Sequence, residues 1–445
     1  MQKAEVILSL LSHKARNDEH FVFRRLYRYL YNPDFYRYVG TKMGGMHFTV
    51  DGYLETLHHI IQKLRNETYH PIRSNVLRDK KHFPRYSQDQ WLQAVVREIL
   101  ESIYEPSFLD TSHGFRPNRS VHTALYTLKK TWKGAQWVIQ GTIPNVFEQM
   151  DHHLLIQIIA KRVDDGRFLE LIRRFLKAGC VHIPSPCSER IQRSGLGPLL
   201  VNIYLNELDQ WIERVVNRYN HSQEIRIQYI RYAHQWMIFV HDSKTMAQRL
   251  LDQVCIFLET DLHLAYDKQQ NTLKNPRKDN VQFLRHEIAM FTKPSQTGQN
   301  TPMPSVQLLV PSDVIRKKLK PFRKRGRPVH HHARVHLPLQ DLIQIYHDEI
   351  KQLYCYYCLA TDVNTKLRMF RFFHYHSLVK TIAHKEKSSA KKVMDKYGVT
   401  IQQKGGTGTR KLLGVPYRDR SGKRRMRTYF QEPLVMRNDP PNFCE

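Results

Sequence analysis

The sequence predicts an α+β fold, with helices and strands mixed through the first three hundred or so residues and an all-helical domain after them. Three observations carry this expectation. The stretch IRIQYIRYAHQWMIFVH (225–241) is two apolar, β-branched and aromatic runs parted by Tyr232-Ala233-His234-Gln235, which suits a strand hairpin. Apolar residues recur at helical spacing in several long segments before it. Beyond it, 338–397 keeps helical periodicity and is crowded with aromatics.

In chain order, 1–70 reads mostly as helices, including YLETLHHIIQKLRNETY (53–69). QWLQAVVREILESIYEP (90–106) is a helix with Pro106 as its stop. WVIQGTIPNVF (137–147) is strand-like, and one helix is expected from His153 to Lys177. PLLVNIYLNELDQWIERVVNRY (198–219) is a further helix, followed by the hairpin. Helices then alternate with short strands to about Met290, and TKPSQTGQNTPMPS (292–305) is a linker or hairpin loop. PSDVIRKKLKPFRKRGRP (311–328) starts as a basic helix and runs into a Gly/Pro breaker. From Ile401 the text is Gly-rich and basic with little apolar periodicity, and reads as a tail.

Charge narrows the function. Lys+Arg 70 against Asp+Glu 41 gives a net +29, spread along all 445 residues. Self-repulsion on that scale calls for a polyanion, which makes nucleic acid the leading partner, ahead of a ribosomal or membrane surface. No apolar run is long enough to cross a membrane. The first segment has acidic residues close behind its apolar period, so it reads as an amphipathic helix and not as a targeting peptide. The six cysteines are scattered, and the Cys355/Cys358 pair sits in an aromatic helical stretch, where two small core residues are expected instead of a zinc site. His330-His331-His332 follows GRP in a basic loop, where chance or placement on an RNA-facing surface is expected in preference to a metal site.

Four segments share an order. They are Ser112-His113-Gly114-Phe115-Arg116-Pro117-Asn118-Arg119-Ser120, WVIQGTIPNVFEQMDHHLL (137–155), PLLVNIYLNELD (198–209) and RYAHQWMIFV (231–240). Together they resemble the signature of group II intron reverse transcriptase/maturases. In that family the palm strand reads W-x-x-x-x-D-I and the hairpin R-Y-A-D-D. The resemblance implies a right-hand polymerase. The N-terminal extension and shortened fingers would occupy 1–110, the reverse-transcriptase-like fingers and palm 111–300, a helical thumb/maturase domain 310–400 and a basic tail 401–445.

What the family does with these parts follows from two-metal phosphoryl transfer, in which carboxylates converge on Mg²⁺. Here the corresponding positions are Thr142, His234 and Gln235, and none is a carboxylate. Imidazole and amide are poor ligands for a hard cation. Glu148, Asp151, Asp209 and Asp242 are the nearby acids, and none is expected to substitute. No catalytic residue, metal or cofactor is therefore expected, although Mg²⁺ serves the family's active members.

The nucleotide pocket implied by the resemblance survives as Gln192, Pro198 and Phe147, with Arg193 and Ser194 where the family has glycines. The fingers stretch Lys81–Tyr86 is short of the family pattern, and Phe283-Leu284-Arg285-His286 has lost a glycine. RNA contacts are implied at Lys268, Lys385, Lys387, Lys391, Lys392 and Lys396, the last five expected along one helix face. For Arg116 and Arg119, RNA contact stands beside capping and ion pairing. The aromatics Tyr356, Tyr357, Phe370, Phe372 and Phe373 are expected in the core.

The expected function is binding of structured RNA, a group II intron above all, in a bacterial cytoplasm or an organellar matrix. The resemblance leaves room for a DNA target and a homodimer. With no HNH motif in the sequence, DNA cleavage in cis is not expected. An active RNA-directed DNA polymerase and a decaying product without a selected role are the rival readings.

Overall fold

The computed structural model describes residues 2–42, 50–72, 88–132, 134–179, 195–222, 226–265, 271–293, 303–402, 409–419 and 422–440. The chain divides into two units, Met1–Ala124 with Gln136–Leu273, and Leu125–Ala135 with Lys274–Glu445.

In the first unit the hairpin forms as its sequence dictates. Ile227–Tyr232 pairs antiparallel with Gln235–Val240 across a two-residue turn, and Ala233 takes the left-handed conformation, φ 52°. Every residue from Trp236 to Val240 is buried, as befits a strand covered on both faces. Its other edge receives Trp137–Thr142, register Thr142 to Gln235, and the sheet order ends with Thr272–Lys274. Helix Lys244–Thr260 packs on Trp137–Thr142, and the long helix Leu196–Ser222 packs on Ile227–Tyr232 and on helix Gln88–Tyr104. Leu92, Val95, Ile99, Leu200, Ile203 and Leu208 fill the core between them.

The single helix expected over 153–177 is two, His152–Ala160 and Gly166–Ala178. The break is chemical: the Asp165 carboxylate accepts from Phe168 N and Tyr27 N, which starts a new helix and ties it to the N-terminal segment. Val163–Asp164 uses the gap to pair in parallel with Phe23–Arg24.

In the second unit, Val281–Phe283, His286–Lys293 and Met303–Leu309 form an antiparallel sheet in which Thr292 pairs with Pro304, while 294–302 of the expected linker or hairpin loop lie outside the described residues. Helices Ser312–Leu319, Leu339–Tyr357, Val363–Lys385 and Ala390–Tyr397 follow. This part is not all-helical. Arg323–Lys324 and Arg327–Pro328 make a small ladder, and the expected tail folds into a three-stranded sheet of Gly398–Gln402, Thr409–Arg418 and Arg424–Thr428.

Leu412, Leu413, Val415, Tyr429 and Phe430 of this tail are buried. Arg371 donates to the Phe430 carbonyl at 3.1 Å, and Arg437 N to the Cys358 carbonyl at 2.7 Å. The strands follow from the short apolar patch Leu412–Val415, which a helical reading of period passes over. Cys358 is buried and Cys355 half-buried, both as free thiols. Of the aromatics expected in the core, Tyr357 and Phe370 are buried and Tyr356 and Phe373 half-buried, whereas Phe372 is 53% exposed.

Candidate functional site

The sheet register brings Thr142, His234 and Gln235 to one end of the first unit's sheet. Thr142 lies opposite Gln235, Ile143 N donates to the His234 carbonyl at 3.0 Å, and Thr142 N donates to Asn271 Oδ1 at 3.2 Å. Thr142 and Gln235 are half-buried, and His234 faces solvent at the turn. Desolvation by the protein around it lowers the His234 imidazole pKa from its ordinary value.

The neighbouring acids are engaged or remote. Asp151 caps helix His152–Ala160, accepting from His153 N and Leu154 N, and pairs with His263 at 2.9 Å. Glu148 is on the short helix Val146–Gln149, and Asp242 lies beyond the opposite end of strand Gln235–Val240. Among the described residues no group of three or more His, Cys, Asp or Glu is arranged to hold a metal ion. The donors at this end do not fit Mg²⁺, which needs oxygen ligands and negative charge.

Behind the turn stands a polar frame. Arg231 is fully buried, and all five of its guanidinium N–H groups find acceptors. Nε and Nη2 reach the Asp209 carboxylate at 2.7 and 2.6 Å, Nη1 reaches Asn202 Oδ1 at 3.1 Å and the Ala233 carbonyl at 2.8 Å, and Nη2 also reaches Ser112 Oγ at 2.8 Å. Burial alone would lower the Arg231 pKa, but the Asp209 carboxylate holds it above the ordinary value. Tyr229 donates to Asp209 at 2.6 Å, and burial together with that charge pushes its phenol well above the usual range.

Asn202 Nδ2 donates to the Gly114 carbonyl at 2.6 Å. A Cβ on Gly114 would lie 2.3 Å from Ala233 N, so only glycine lets this loop reach the turn. The frame thus joins the 112–120 segment, the long helix and the hairpin, three of the four motif segments. From the sequence, Asp209 is expected not to substitute as a metal ligand, and Arg231 has no assigned role. The signals available were its place at the head of the RYAHQ motif and a charge inside a mostly apolar strand.

Of the two readings open for Arg116, ion pairing is the one whose geometry is present. Its buried guanidinium pairs with Glu105 at 2.9 Å and donates to the Leu109 and Ser112 carbonyls at 2.5 and 2.6 Å. Arg119 is half-buried and pairs with Asp110 at 2.5 Å. Pro198 sits in the first turn of Leu196–Ser222, and Phe147 packs half-buried against the core. Gln192 and Lys268, like Arg193, Ser194 and Lys81–Tyr86, lie outside the described residues.

The lysines of the second unit do not share one helix face. Lys385 ends helix Val363–Lys385 and donates to the Val335 carbonyl at 3.1 Å, while Lys387 is in a turn with φ 49°. Lys391, Lys392 and Lys396 belong to Ala390–Tyr397, where Lys396 pairs with Glu386 at 3.2 Å. Lys387, Lys391 and Lys392 are exposed, with no ion pair among the described residues.

Comparison with known proteins matches residues 84–288 to a family described as reverse transcriptase (RNA-dependent DNA polymerase) and 303–423 to type II intron maturase. The chain is 31% identical to the group II intron-encoded protein LtrA of Lactococcus lactis subsp. cremoris, over 96% of this chain and 84% of that one. It is 26% identical to an uncharacterized 91 kDa protein in the cob intron of Schizosaccharomyces pombe, over 87% of this chain and 58% of that one. Similarity extends at 23% identity, over 42% of this chain and 29% of the other, to nuclear intron maturase 3, mitochondrial, of Arabidopsis thaliana.

Proposed function

We propose, on the premise that this chain belongs to the family of group II intron-encoded reverse transcriptase/maturases, that it binds structured intron RNA and assists its folding or splicing without copying it. The observation that carries this reading is the sheet end built from Thr142, His234 and Gln235, set on the complete Arg231–Asp209 frame. Nucleotidyl transfer needs negative charge converging on divalent metal. Neutral side chains at a correctly folded tip remove the chemistry and leave the architecture.

RNA binding needs only surface cation, which the net charge of +29 provides in excess. The exposed Lys387, Lys391 and Lys392 are its candidate contacts in the second unit. Recognition of shape and backbone suits such a surface, because A-form grooves admit little reading of base edges.

Primer extension with Mg²⁺ or Mn²⁺ is expected to yield no cDNA, and processive synthesis would overturn the loss of polymerisation. Filter binding to a group II intron RNA is expected to exceed binding to unrelated structured RNA at physiological salt, with log K falling linearly in log salt. Equal affinity for the two RNAs would remove the splicing role and favour a decaying product.

A further inference from the structure

In the second unit the ladder Arg323–Lys324/Arg327–Pro328 turns at Arg325-Gly326, φ 48° and 74°. Arg323, Lys324, Arg325 and Arg327 are all exposed, with no ion pair among the described residues. The ladder lies along helix Val363–Lys385. Lys380 Nζ donates to the Pro328 carbonyl at 2.8 Å, the Arg323 guanidinium sits 5.4 Å from the centre of the Phe373 ring, and His331 N donates to Thr381 Oγ1 at 2.9 Å.

The histidines that follow meet the same helix. The His330 and His384 rings stack at 4.2 Å and 6°, and His330 Nε2 is 3.2 Å from His332 Nδ1. A hydrogen bond between two imidazole nitrogens needs one bare and one carrying a proton, so full protonation of this pair breaks it. On the helix, Phe372, His376, Lys380 and His384 recur every four residues as an exposed stripe.

We propose that His330, His332 and His384, together with Lys380, form a proton-gated phosphate site that grips the RNA backbone beside the basic ladder. This deepens the RNA-binding reading and rests on it. Phosphate accepts hydrogen bonds from the N–H groups of imidazolium, which replaces the His330–His332 contact with two contacts to the ligand.

The surrounding charges favour such a ligand. The ladder presents its four cations, and the helix presents His376 and Lys380. Lys380 and Lys385 each give one ammonium N–H to a carbonyl, of Pro328 and Val335, and keep their others, whereas Arg334 is paired with Glu349 at 2.5 Å. Glu349 is also held by His374, and Glu386 by Lys396 and Tyr397, so both carboxylates are already engaged.

Partial desolvation, then His332, His384 and Lys380, lower the His330 pKa in the free protein. A bound phosphate reverses the charge part of that effect, so binding takes up protons and affinity rises as pH falls through the ordinary imidazole range.

The test is filter binding of the full chain to a group II intron RNA at about pH 5.5 and about pH 8. The wild type is compared with the triple variant His330→Gln, His332→Gln, His384→Gln and with His13→Gln, His20→Gln as a remote control. The wild-type affinity ratio between the two pH values is expected to exceed that of the triple variant by about tenfold, which is the full effect of one imidazole whose pKa rises by about one on binding phosphate. Its salt slope should be steeper by about one phosphate contact at the lower pH. The remote variant should keep the wild-type ratio, and His332→Lys, with a fixed charge, should shrink it by raising affinity at the higher pH. Equal ratios in the wild type and the triple variant overturn the gate while RNA binding stands. Absence of RNA binding at either pH overturns both.

Discussion

Arg231 and Asp209 are both sealed from water, which makes their pairing costly to assemble and costlier to break. Removing one partner of a buried ion pair typically destabilises by about 3–5 kcal/mol, because the other charge is left without compensation. Asp209→Asn is expected to lower stability within that range in denaturant titration, with the largest local loss of amide protection at the Tyr232–Gln235 turn. A change under about 1 kcal/mol would show that the frame does not hold the tip. This role was illegible in sequence because its partners, Ser112, Asn202 and Asp209, are far apart in the chain and meet only after the sheet has formed. The opposite holds for Thr142, His234 and Gln235, whose convergence follows directly from strand pairing. Arg116 shows the middle case, where residue type allows two roles and only the positions of Glu105 and three carbonyls choose between them.

Elements fail in sequence reading where a side chain overrides periodicity. Asp165 cut one expected helix into two, and a short apolar patch with Tyr429 and Phe430 made a sheet from an expected tail. The turn Leu284-Arg285 is another such place, since both residues take positive φ, 48° and 56°, without a glycine. Arg285→Gly is expected to raise stability by about 0.5–1 kcal/mol in thermal or chemical denaturation, through relief of left-handed strain.

Helix Leu339–Tyr357 carries a pH-sensitive link to its neighbour. Burial raises the Glu349 pKa, but the hydrogen bonds from His374 and Arg334 outweigh it and bring it from 4.5 to about 2. A depressed carboxylate stabilises above its unfolded pKa and loses that contribution as pH falls through the folded one. The melting temperature should therefore drop more steeply between pH 4.5 and about 2 in the wild type than in Glu349→Gln. Parallel curves would place the acid sensitivity elsewhere.

For the whole molecule, the net charge of +29 is the property that sequence reported most directly, because charge is additive and needs no fold. Its energetic consequence is self-repulsion, screened over about 10 Å at 0.1 M salt. In the absence of RNA the melting temperature is expected to rise with added sodium chloride over the first few tenths molar, and a flat or falling profile would show that the charges are already compensated within the protein. The alternation of helix and strand was equally legible. The division into two units was not, since Leu125–Ala135 joins the C-terminal unit across a long stretch of chain.

The C-terminal sheet couples two properties that a loose tail would keep apart. Strand Arg424–Thr428 exposes Arg424 and Arg425 and runs directly into the buried Tyr429 and Phe430. Tyr429 closes on His374 of the central helix at 3.0 Å. An anion gripping that strand would therefore bind only the folded unit, and mass action would convert its binding energy into resistance to unfolding. Were RNA that anion, the unit would resist unfolding better in the complex than alone, and the gain would grow with the concentration of RNA.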